Sequence, residues 1–94
     1  MNPFLPDIPP DVAEIIRHLP PEIKRSIKQA IRVLSEDPDA GEPLRRELAG
    51  LWKYRVRRYR IVYAVDRTLR SLRIVAVGQR HRIYEDVAER VRRK

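Results

Sequence analysis

Lys53, Arg55 and Arg57 recur at every second residue, and Arg60 follows just past a candidate turn at Arg57-Arg58. On a β-strand this spacing points all three cations to one face, opposite Trp52, Tyr54 and Val56, with roughly 7 Å between neighbours. That is close to the phosphate spacing of an extended nucleic-acid strand. Arg60, on the next strand, is expected beside them. Residues 53 to 82 carry ten Lys and Arg against a single acidic residue, Asp66, a local charge of +9 in a chain of net +8. Residues 1 to 52 are net −2 and residues 83 to 94 net +1. One exposed arginine on a sheet is ordinary solvation. Four cations on adjacent strands with no acidic counterion repel one another, an arrangement that suits an anionic partner. RNA or DNA is the first partner to consider. The aromatics in and just before this stretch, Trp52, Tyr54, Tyr59 and Tyr63, are assigned to core or sheet packing.

The bulk composition narrows the chemistry. Ninety-four residues, 43% of them hydrophobic, suit one small domain over 1–94 with a thin core. There is no cysteine, which excludes disulfides and thiolate catalysis. His18 and His81 are far apart in sequence and lack clustered partners, so neither a metal nor any other cofactor is expected. No apolar run approaches the roughly 20 residues that span a membrane. The N-terminus lacks the basic start and apolar run of a secretory signal, and a cytoplasmic protein without a membrane partner is expected.

The elements that must hold the basic face follow from periodicity and proline. Four of the eight prolines lie in residues 1 to 10, a poor helix and a poor central strand. Val12, Ile15, Ile16 and Leu19 give a short helix over 11–19. Pro20-Pro21 ends it and starts a second helix, which runs to Glu36 with Ile23, Ile27, Ala30, Ile31 and Leu34 as its apolar stripe. The two should pair as an antiparallel hairpin. Residues 37 to 43 read as a loop, and 44 to 51 are ambiguous, with Gly50 as a turn point. From Trp52 the period changes to two. Strands are predicted near 52–56, 59–65 and 72–77, with Leu72, Ile74 and Ala76 sharing a face, an antiparallel meander. Residues 83 to 92 form a terminal helix. The predicted class is α+β: an N-terminal helical hairpin on a small antiparallel sheet of three to four strands, with a C-terminal helix.

Three segments carry a family resemblance. They are Pro43-Leu44-Arg45 through Leu51-Trp52-Lys53-Tyr54-Arg55-Val56, then Tyr59-Arg60-Ile61-Val62-Tyr63-Ala64-Val65, then Val77-Gly78-Gln79-Arg80-His81-Arg82-Ile83-Tyr84. In this order they resemble the RelE/ParE toxin superfamily of toxin–antitoxin modules, over residues 42 to 84. Family members begin with a strand; the Pro-rich start here implies that it is short or lost. Gln79 stands where the family usually has histidine.

The resemblance implies a type II toxin of the RelE kind: a metal-independent endoribonuclease that cleaves mRNA in the ribosomal A site. Its partners would be mRNA on the 70S ribosome and a cognate antitoxin. In that reaction the 2′-OH attacks the adjacent phosphorus, leaving a cyclic phosphate and a free 5′-OH. By position, Arg60 and Arg80 would stabilise the phosphate, Tyr84 would stack a base or assist as acid, and Lys53 would serve as base or phosphate ligand. Glu42, in Glu42-Pro43-Leu44-Arg45, resembles the glutamate of the YoeB-like branch. It is either a second candidate base or a solvated loop carboxylate. Arg55, where some members have lysine, can hardly act as a base. With Arg57, His81 and Arg82 it is expected to contact RNA. His81 either aids proton transfer or simply leaves the strand. His18 reads as a helix end. The alternatives are a ParE-like inhibitor of DNA gyrase and a non-toxic homologue that only binds antitoxin. An acidic amphipathic antitoxin segment would suit the basic chain and could displace the terminal helix.

Overall fold

A computed structural model describes residues 3–79 and 82–92. The elements run β1 (Leu5–Asp7), α1 (Pro10–Arg17), α2 (Pro21–Glu36), β2 (Glu42–Pro43), β3 (Trp52–Val56), β4 (Tyr59–Asp66), β5 (Ser71–Gln79) and α3 (Arg82–Arg92). Two 3₁₀ turns, Pro38–Ala40 and Arg46–Leu48, flank β2. The class is α+β, as the sequence pattern predicts. The sheet has five strands rather than three to four, in the order β1-β5-β4-β3-β2.

The sheet is mixed, not purely antiparallel. The Pro-rich start forms a short edge strand, β1, parallel to β5. Pro6 is tolerated because an edge strand uses only one side of its backbone for pairing. The segment is tied down by Leu5 N–H to Arg70 C=O at 2.9 Å and Phe4 N–H to Ser35 C=O at 2.8 Å. Phe4 is buried, with the Arg70 guanidinium 4.4 Å above its ring.

Both N-terminal helices start with proline in their first turn, and α2 ends at Glu36, ahead of Asp37-Pro38. They pack on one face of the sheet. Val12, Ile16, Ile27, Ile31 and Leu34 meet Ile61, Tyr63, Leu72 and Ile74 there. The opposite face holds a smaller cluster of Val62, Ala76, Ile83 and Val87, covered by α3. Trp52, Tyr54, Tyr59 and Tyr63 all belong to the first cluster, which supports their assignment to packing.

One face assignment is corrected. The register runs Val62↔Ala76 and then Tyr63↔Ile74, so Val75 is an extra residue in β5. This bulge breaks the alternation. Ala76 therefore turns away from Leu72 and Ile74 to face α3, and Val77 takes its place in the first cluster. The Val75 carbonyl at the bulge accepts a bond from Arg90 Nη1 at 3.3 Å, while Arg90 Nη2 reaches Asp11 at 3.2 Å. One arginine thus ties α3 to β5 and to the first turn of α1.

The β3–β4 hairpin closes through Val56↔Tyr59 with Arg57-Arg58 as its loop. Arg57 sits at φ 57°, in the left-handed region that glycine adopts without strain. Its exposed side chain is 4.0 Å from Glu22 of α2, a pair worth little in water. Arg57→Gly is therefore expected to raise stability by about 0.5–1 kcal/mol, read as a higher urea midpoint at unchanged slope.

Candidate functional site

The central strand, β4, positions the site. Tyr59, Ile61 and Tyr63 face α1 and α2, so Arg60 and Val62 must face α3. Cross-strand partners share a face. Lys53 lies opposite Val62, and Arg55 lies opposite Arg60. Lys53, Arg55 and Arg60 thus share the α3 side of the sheet, in two adjacent rows. Arg57 does not join them. The strand ends at Val56, and the left-handed turn sends the Arg57 side chain toward Glu22 of α2. The alternation that predicted three cations on one face stops one residue short.

The row through Lys53 continues to the sheet edge. Glu42 of β2 pairs with Lys53, and its carboxylate lies 4.0 Å from the Lys53 ammonium. The basic stretch is therefore not without counterions: Lys53 has Glu42 and Arg57 has Glu22, each from outside the stretch. The same ammonium lies 5.9 Å from the centroid of the Tyr84 ring, in the first turn of α3. Carboxylate, ammonium and phenol therefore come together from β2, β3 and α3, separated by 10 and 30 residues of sequence.

Gly78 makes that approach feasible. It lies opposite Arg60 on β5, and a Cβ there would stand 2.9 Å from Ile83 Cδ1. Without a side chain at 78, Ile83 settles on the sheet and Tyr84 is carried toward Lys53. Tyr84 is half-buried against Val62 and its neighbours, so packing and site geometry are two aspects of one placement.

The two arginines lean on the hairpin backbone. Arg55 Nε donates to the Arg57 carbonyl at 3.3 Å; Arg60 Nη1 donates to the Tyr59 carbonyl at 3.1 Å and to the Arg57 carbonyl at 3.5 Å. A guanidinium has five N–H donors, so most remain free for an anion. Arg82 is exposed at the start of α3. Arg80 and His81 fall outside the described residues. His18 is at the end of α1 with its ring nitrogen 2.9 Å from the Glu14 carbonyl, the helix-end role expected of it. Among the described residues, no three His, Cys, Asp or Glu side chains gather as a metal site.

Sequence reasoning missed how Glu42 is held. Tyr63, fully buried, donates its hydroxyl to the Pro38 carbonyl at 2.7 Å and accepts the Gly41 N–H at 3.2 Å. Its ring stacks on Trp52, centroids 6.2 Å apart. A Cβ on Gly41 would collide with the Tyr63 hydroxyl and the Lys53 carbonyl. Arg67 adds an ion pair to Asp39 at 2.5 Å. The signal was Gly41 itself, which precedes Glu42 in a loop where it reads only as a turn residue. Burial, with lesser contributions from Asp39 and Asp37, pushes the Tyr63 hydroxyl up from 10.0 to about 12, against the lowering effect of the Gly41 bond.

These features define a class: an α+β fold with helices on both faces of a five-stranded mixed sheet, and a carboxylate, an ammonium and a phenol grouped where the third helix half covers a basic face. The family model described as ParE toxin of the type II toxin–antitoxin system, parDE, matches residues 7–84. Toxin RelG of Mycobacterium tuberculosis is 38% identical over 71 residues, which are 73% of this chain and 82% of that protein. The toxin–antitoxin complex RelBE2 from Mycobacterium tuberculosis contains a chain that superposes with TM-score 0.76 at 33% identity, covering 85% of this chain and 94% of that one. A double arginine mutant of the E. coli toxin RelE in the free state has TM-score 0.76 at 21% identity, covering 94% of this chain and 97% of that one, a likeness of fold. The chain belongs to the RelE/ParE superfamily and is a toxin of the type II toxin–antitoxin class.

The Tyr63 hydroxyl gives a pH prediction. The folded protein holds this proton more tightly than the unfolded chain. Its contribution to stability is therefore whole below pH 10 and lost as pH rises toward about 12. Tyr63→Phe removes that loss. The unfolding free energy of the wild type, from urea titrations, should fall more steeply between pH 10 and 12 than that of Tyr63→Phe, by about 2 kcal/mol.

Proposed function

We propose that this toxin is a metal-independent endoribonuclease that cleaves mRNA on the ribosome. The supporting observation is the grouping of Glu42, Lys53 and Tyr84 on the sheet face that also carries Arg55 and Arg60. Cleavage by the 2′-OH needs a proton acceptor, cations around the phosphorane and a proton donor for the departing 5′ oxygen. A carboxylate can accept a proton; a charged ammonium has no lone pair with which to do so. Glu42 is accordingly the base, and Lys53 is the cation beside it. The O2′–P bond forms as Glu42 takes the 2′ proton. The P–O5′ bond breaks as the 5′ oxygen takes a proton, with Tyr84 as the donor in reach of the same row. Arg55 and Arg60 meet the phosphate oxygens with their free N–H groups. Arg80, Arg82 and His81 lie at the join between β5 and α3 in the sequence and complete the RNA-contacting set. The products are a cyclic phosphate and a free 5′-OH.

A cognate antitoxin is the protein partner in this reading, in keeping with relatives solved as toxin–antitoxin complexes. The chain acts as a single domain in the cytoplasm, where ribosomes are; no helix among the described residues is long and apolar enough to cross a membrane.

Induced expression with primer extension on a translated mRNA tests the reading. Growth arrest with new in-frame cuts is expected. Glu42→Gln and Arg60→Ala should each lower cleavage by roughly 10²–10³-fold, and Arg80→Ala should also reduce it. Arrest without cuts, accompanied by inhibited DNA supercoiling, would instead make the chain a gyrase-directed toxin. A folded protein without arrest would leave antitoxin binding as its activity.

A further inference from the structure

Glu42 cannot hold itself against Lys53. Its side chain is 79% exposed, and a 4.0 Å pair in solvent contributes at most about 1 kcal/mol. β2 is only two residues long, and β3 pairs with it only at Trp52 and Lys53. Beyond it, Leu44 N–H bonds to the Leu51 carbonyl at 2.8 Å, which anchors the strand's far end. The near end has a different anchor. The Tyr63 hydroxyl takes hold of both Pro38 and Gly41, the residue immediately before Glu42. Gly41 presses so close to that hydroxyl and to the Lys53 carbonyl that no side chain fits.

We propose that the Tyr63 hydroxyl is a positioning group for the site, setting the Glu42 carboxylate against Lys53 through the Gly41 backbone. Tyr63 touches neither substrate nor reacting atoms. Its ring belongs to the core beneath α1 and α2, whereas Lys53 faces α3. A phenol buried on one face of the sheet thereby fixes a carboxylate exposed at its edge. Displacement of a catalytic group by about 1 Å can cost up to 10²-fold in rate, so an exposed base on a two-residue strand needs such an anchor. The chemical consequence rests on the ribonuclease reading above; the geometric one does not.

The test uses Tyr63→Phe, which keeps the ring, with Gly41→Ala as a second variant that changes no core side chain and whose added Cβ crowds both the hydroxyl and the Lys53 carbonyl, forcing the loop off them. Two readouts are taken: cross-strand nuclear Overhauser contacts between Glu42 and Lys53, and kcat and KM for mRNA cleavage on programmed ribosomes. Loss of the Glu42–Lys53 contacts in a folded variant, with kcat about tenfold lower at unchanged KM, is expected. In a Glu42→Gln background the same substitution should cost nothing further, because its effect passes through the carboxylate. A general loss of stability would not produce that pattern. Contacts that persist in a folded Tyr63→Phe protein would overturn the proposal whatever the rate. So would a rate loss that multiplies with that of Glu42→Gln. Lost contacts in a protein whose wild type cleaves no RNA would leave the positioning role standing and remove the ribonuclease reading.

Discussion

The two-residue pleat of β4 is the constraint on which the rest depends. It is the central strand, paired on both sides, so its side chains have only two directions available. Ile61 and Tyr63 take one face and supply the core against α1 and α2. Arg60 and Val62 are thereby committed to the other, where α3 covers Val62 and leaves Arg60 half-exposed. The division into a densely packed face and a cationic face follows from that commitment. A one-residue slip in β4 would exchange them and bury arginine under α2.

The same sheet shows how little area is given to the site. The cluster under α3 is built from Val62, Ala76, Ile83 and Val87, far smaller than the one under α1 and α2. The helix is also held by polar contacts from its C-terminal half: Arg90 pairs with Asp11 and bonds to the bulge carbonyl of Val75, and Arg92 lies 3.8 Å from Glu47. These are exposed pairs of modest strength. The helix carrying Tyr84 buries Ile83, Val87 and Ala88, while Arg60 comes from the central strand and Lys53 from the strand beside it.

The hydrogen bonds of Arg55, Arg60 and Tyr63 are directed at backbone rather than at neighbouring side chains. Arg55 and Arg60, adjacent like charges, are reconciled by carbonyls of the hairpin, and the strained turn at Arg57 aims one of them. Tyr63 is likewise bonded to Pro38 and Gly41 main-chain atoms. Main-chain partners hold these groups and leave most guanidinium N–H groups free to meet an anion.

The sequence by itself determined the helices, the three long strands and the face that carries Lys53, Arg55 and Arg60. These rest on local periods of 3.6 and 2, on proline boundaries and on charge, which are properties of neighbouring residues. Only the tertiary structure decided the rest. The bulge at Val75 moved Ala76 to the opposite face, because register is set by the partner strand. The left-handed turn removed Arg57 from the cationic row, because hairpin geometry outweighs alternation at the last position. β1 and β2 are too short to show a period and exist only because an edge was there to receive them. Glu42, Lys53 and Tyr84 became one group through pairings across the chain, fixed by a buried tyrosine and a glycine that in sequence read only as packing and a turn.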